Sequence, residues 1–119
     1  ASSQQAWAVR VSAWFASGFD LLLTPTVPEP PPLLSYLDGS ALEPYTLLER
    51  MAPHLAFTEP FNVTGHPAIS LPLHWTADGL PMGVQLVARL GREDLLFRVA
   101  AQLEAAAPWA GRRPPIFAA

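Results

Sequence analysis

Fourteen prolines set the limits within which this chain can fold. Proline has a fixed φ and no amide donor, so it interrupts helices and strand ladders alike. Eight of the fourteen lie in two clusters, 25–32 and 108–115, which mark loops. Before the first cluster, Trp7, Val11, Trp14 and Phe15 recur at helical spacing within residues 4–17, and Gly18 stands where a C-cap would. The run Asp20-Leu21-Leu22-Leu23-Thr24 has no alternation and predicts a strand buried on both faces. Pro25 to Gly39 reads as an extended loop.

Beyond the loop, a helix is expected over Leu42–Met51, with Pro53 near its end. Residues 57–67 read as less regular, because Pro60, Gly65 and Pro67 break any long helix there. Ala68 to Trp75 predicts a strand with Ile69, Leu71 and Leu73 on one face. Thr76-Ala77-Asp78-Gly79 is a turn, and Met82 to Ala88 the returning strand. Gly91 to Ala107 predicts a helix with a stripe at Leu95, Leu96, Val99, Ala100 and Leu103. Glu93 and Asp94 in its first turn favour the positive end of the helix dipole. The resulting fold class is α/β, with about three strands and three or more helices.

Charge and composition exclude several functions. All seven basic residues are arginines, scattered apart from Arg112-Arg113, in a chain of net charge −3. No basic stripe exists for neutralising phosphates, which disfavours a nucleic-acid partner. No apolar run approaches the ~20 residues of a membrane span, which excludes a spanning helix. The first residues, Ala1 to Gln5, lack the basic and apolar regions of a secretory signal. Cysteine is absent, which removes disulfides, thiolate zinc sites and a thiol nucleophile and fits a cytoplasmic setting. Lysine is absent too.

Few residues carry the marks of chemistry. Ser70 stands between Ile69 and Leu71 and reads as a hydrogen-bonded core serine, since a nucleophile needs an exposed elbow. His54, His66 and His74 are separated by 12 and 8 residues, which matches no zinc-binding spacing. His66, before Pro67 in a turn, reads as a surface or backbone-bonded residue. The four tryptophans read as core. Thr58 and Asn62 sit among prolines, where their side chains can bond freed backbone groups, with substrate contact as the alternative.

The stretch from Phe57 to Pro72, with Thr58, Pro60, Asn62 and then Gly65-His66-Pro67-Ala68-Ile69-Ser70-Leu71-Pro72, resembles a segment near the C-terminus of amidase-signature enzymes. The resemblance continues through Gly79-Leu80-Pro81-Met82-Gly83-Val84-Gln85, Gly91-Arg92-Glu93-Asp94 and Leu103-Glu104, ending near Pro108-Trp109. Upstream, Phe19-Asp20-Leu21-Leu22-Leu23-Thr24-Pro25-Thr26 is similar to that family's strand and Thr-Pro loop. It implies the closing part of an α/β/α fold with a mixed central sheet. It also implies amide C–N hydrolysis by a serine nucleophile, a second serine in a cis peptide linkage and a lysine base, with no cofactor and no metal. Those catalytic residues belong to a Gly- and Ser-rich signature that has no counterpart among residues 1–119. No catalytic residue is therefore expected in this chain.

By position, the resemblance carries a substrate-bordering role to Ala52, Leu55 and Glu59. Glutamine-using relatives place an acidic residue near Leu55, whereas His54-Leu55-Ala56 stands here, which favours a less polar amide. Residues 1–119 are thus expected to be a C-terminal segment of an amidase rather than a complete domain. Its partners would be the missing N-terminal amidase portion, or a partner chain, and a small aryl or alkyl amide. The alternatives are a stand-alone inactive module that associates with another chain, or part of a glutamine-using amidotransferase subunit.

Overall fold

The structure, a computed structural model, describes residues 2–116. Helix α1, Ser3–Ala16, opens on a capping box in which Ser2 and Gln5 exchange side-chain-to-backbone hydrogen bonds of 3.2 and 3.0 Å. Strand β1, Leu21–Pro25, follows. Within the expected Pro25–Gly39 loop, a single 3₁₀ turn covers Leu34–Leu37. Helix α2 runs Pro44–Leu55 and helix α3 Glu59–Thr64. Strands β2, Ala68–Trp75, and β3, Pro81–Ala88, form a hairpin, and helix α4 spans Glu93–Ala106.

Within residues 57–67, where no long helix was expected, the structure forms the short helix α3. Pro60 falls in its first turn, where the missing amide has no intrahelical partner to lose. Gly65 closes it at φ 72°, a conformation that glycine adopts without strain, and its amide reaches the Phe61 carbonyl at 2.8 Å. Helix α2 is likewise longer than predicted and includes Pro53 in its last turn.

The sheet has the order β1-β3-β2 and is antiparallel throughout. Register assigns the faces. Val87 opposes Leu22 and Ala68, whereas Leu86 opposes Leu23 and Ile69, and Ala88 opposes Leu21. On the first face, Val87 and Leu22 pack against Val11, Phe15 and Phe61 of α1 and α3. On the second, Leu71, Leu86 and Ala88 pack against Leu96, Val99, Ala100 and Leu103 of α4. Helices on both faces of one sheet give an α/β/α layering. The ladder shifts between Leu71 and His74, around Pro72, which fits a residue unable to donate.

Three expectations about burial change. Strand β1 is not buried on both faces, since Leu23 is 66% exposed. Trp7 and Trp14 lie at the surface of α1 rather than in the core. Trp14 instead stacks on Phe19 with ring centroids 4.5 Å apart. On α4, Leu96 is buried as expected, while Leu103 is only half-buried.

Candidate functional site

The sheet face beneath α1 and α3 changes character along its length. Val87 and Leu22 are apolar and covered. Two residues back on β3 the same face presents Gln85, opposite Thr24 and Ser70. Two further back it presents Gly83, whose carbonyl accepts the Thr26 amide at 3.0 Å. This polar end adjoins a hollow of about 270 Å³ lined by Thr26, Thr58, Phe61, Asn62, His66, Ala68, Ile69, Ser70 and Gln85.

Two hydrogen-bonded units build it. The hydroxyls of Ser70 and Thr26 lie 2.6 Å apart. They meet above Gly83, where a Cβ would come within 2.7 Å of both oxygens, so the close approach requires glycine. Gln85, 4% exposed, donates from Nε2 to Thr24 Oγ1 at 3.0 Å and to the Phe57 carbonyl at 2.7 Å. Phe57 lies in the turn between α2 and α3, so Gln85 joins that turn to the sheet.

Two sequence expectations are revised here. Ser70 is hydrogen-bonded, but it is exposed on the open end of the face rather than enclosed in the core. His66 is buried, at 6% exposure, rather than on the surface. Its ring stacks on Phe15 at 5.3 Å, and Nδ1 lies 2.8 Å from Thr64 Oγ1. Desolvation lowers its pKa, so it is neutral at pH 7. Thr58 behaves as anticipated for a residue near freed backbone groups, with its hydroxyl 3.4 Å from the Leu55 carbonyl.

Of the predicted wall residues, Ala52 and Leu55 lie in the last turns of α2 and Glu59 opens α3. All three are exposed. The turn at 56–58 separates Leu55 from Glu59, so the two do not share one helical face. Glu59 borders a hollow of about 300 Å³ with Trp7, Ala56 and Val63. Beside it runs an apolar trench of about 380 Å³ between α1 and the α2–α3 turn, lined by Trp7, Trp14, Leu22, Phe57, Pro60 and Phe61 among others. Phe61 lines both the trench and the polar hollow. Gln85 and Thr26 were missed from sequence, although a glutamine within Val84-Gln85-Leu86-Val87 is a signal that a buried amide has partners to find.

Chemically, the polar end can bind and orient. It offers hydroxyls, amides and a neutral imidazole, but Ser70 has a hydroxyl and not a base as its partner.

A family model described as Amidase matches residues 2–97. The 6-aminohexanoate-cyclic-dimer hydrolase of Pseudomonas sp. (strain NK87) is 50% identical over 115 residues, covering 92% of this chain and 23% of that protein. The putative amidase AmiC of Mycobacterium tuberculosis (strain ATCC 25618 / H37Rv) is 47% identical over 106 residues, covering 89% and 22%. Among solved structures, a 6-aminohexanoate cyclic dimer hydrolase complexed with substrate matches with a TM-score of 0.84 at 45% identity, covering 94% of this chain and 24% of that one. A glutamyl-tRNA(Gln) amidotransferase subunit from Thermotoga maritima matches with a TM-score of 0.69 at 28% identity, covering 89% and 21%. The chain thus spans less than a quarter of the length of the curated relatives it matches.

Proposed function

This chain belongs to the amidase family, and from that premise we propose that it is the C-terminal segment of an amide hydrolase. It supplies one wall of the substrate cleft, while the serine nucleophile, its companion serine and the lysine base stand in the rest of the longer protein. The observation that carries this reading is the environment of Ser70. A serine hydroxyl becomes a competent nucleophile when a base lies within hydrogen-bond reach. The Ser70 hydroxyl is bonded instead to Thr26, and no lysine exists in the chain.

The cleft wall in this reading consists of Ala52 and Leu55 at the end of α2 and Glu59 at the start of α3. The residues around it are largely apolar, including Ala56, Phe57 and Pro60. Such a wall suits an aliphatic or aryl amide cleaved by water in the cytoplasm to a carboxylate and an amine. The 50% identity to a hydrolase named for a 6-aminohexanoate cyclic dimer supports the aliphatic choice. Exposed Leu33, Leu34, Tyr45 and Phe97 support the view that residues 1–119 are part of a larger domain.

The test compares the full-length protein with the 119-residue chain, both treated with chelator, on a panel of aryl and alkyl amides that includes 6-aminohexanoate cyclic dimer. Turnover by the full-length protein and none above background by the short chain is the expected result. Turnover by the short chain that scales with its concentration and disappears in Ser70→Ala would overturn the reading. So would a full-length protein inactive on every amide.

A further inference from the structure

Among the described residues, the α2–α3 turn is held to the sheet by one directional contact. Gln85 sits buried in the central strand, and its side-chain amide meets Thr24 Oγ1 and the Phe57 carbonyl. The carbonyl can only accept, so the amide nitrogen must be the end that faces it, and both N–H groups are then engaged. The turn's other hydrogen bonds are local. Ala56 donates to Pro53, Thr58 to Leu55, and Phe61 and Asn62 to Thr58. Such bonds fix the shape of the turn but not its distance from the sheet. Packing of Phe61 in the cluster with Val87 and Leu22 adds cohesion, yet apolar contact is not directional.

Phe57 stands two residues after Leu55 and two before Glu59. Fixing its carbonyl therefore fixes the spacing of both side chains from the sheet. We propose that Gln85 is a positioning residue for amide selection. It touches no substrate and acts by holding the wall of Ala52, Leu55 and Glu59 at a set distance from β3. The inference rests on the preceding reading, in which that wall borders the amide. A loosened wall would accept bulky and small amides more evenly, because discrimination in a pocket depends on contacts held in place.

The experiment uses the full-length protein and two substitutions at this position. Gln85→Met keeps the length of the side chain and removes both donors. Gln85→Glu keeps its shape and sets a carboxylate oxygen against the Phe57 carbonyl. Hydrogen exchange at amides 56–58 should quicken by about tenfold or more in both, with the β3 amides of Leu86 and Val87 unchanged. The ratio of kcat/KM between a bulky and a small amide should shift by about tenfold, mainly through KM. Unchanged protection at 56–58 would overturn the inference. So would faster exchange spread equally over turn and strand, which marks a merely structural role, or an unchanged substrate ratio despite a loosened turn. A wild-type protein inactive on all amides defeats the amide reading and this inference together, whereas an active one with unchanged ratios in both variants defeats this inference alone.

Discussion

Ser70 and Thr26 share a 2.6 Å hydroxyl–hydroxyl bond although their strands are not neighbours. Ser70 lies on β2 and Thr26 just beyond β1, and the central strand β3 separates the two. The pair can close only because the residue between them is Gly83.

Gly83→Ala should therefore be destabilising even though alanine needs no unusual backbone there. Overpacking of a tight site costs about 1–3 kcal/mol. Adding Ser70→Ala removes one of the two clashing oxygens and should recover part of the loss. A thermal-melting double-mutant cycle in the full-length protein measures this coupling, and strictly additive effects would contradict the geometry.

His66 should make stability fall on mild acidification. Its pKa in the folded chain lies below the ordinary 6.5, because burial beneath Phe15 disfavours the charged ring. Below pH 6.5 the unfolded chain takes up a proton that the folded chain resists, so stability is fully present above that pH and declines beneath it. Melting temperatures from pH 7.5 to 5.5 should drop more steeply in the wild type than in His66→Gln. Parallel curves would count against this assignment.

The two leucines at opposite ends of α4 should respond differently to truncation. Leu96→Ala removes a side chain that is 4% exposed and should cost about 2–5 kcal/mol. Leu103→Ala, at a half-buried position, should cost roughly half as much. Denaturation midpoints of the two variants give the comparison, and equal losses would place Leu103 deeper than the structure does.

Leu55, 43% exposed, should affect selectivity more than stability. Replacing it with alanine in the full-length protein should alter the ranking of bulky against small amides, while the melting temperature changes little. An unchanged ranking would remove this residue from the proposed wall.

The parts of the fold legible in sequence are those governed by local rules. The apolar stripe gave α4 to within two residues at its start and one at its end, and Asp78-Gly79 marked the hairpin turn. Three consecutive leucines say that β1 can be covered on both sides, but not which neighbours are present to cover it. His66 looked like a surface residue because a turn before proline usually is, and its burial depends on Phe15, far away in sequence. The partners of Gln85 were unreadable for the same reason, since they lie 61 and 28 residues away, although its place in an apolar strand signalled that it would have some. The proposed wall residues come from resemblance alone, and the break at 56–58 that separates Leu55 from Glu59 leaves no periodic trace.

The bond from Gln85 ends on the main chain of Phe57, not on a side chain. Every amino acid at position 57 would offer the same carbonyl. The latch is thus indifferent to what residues 52–59 carry, provided the backbone keeps its path. Side chains there can be exchanged one at a time without dismantling their mount. If residues 52, 55 and 59 form the proposed wall, a lineage could retune which molecules it accepts through single replacements there, with the strand beneath left untouched.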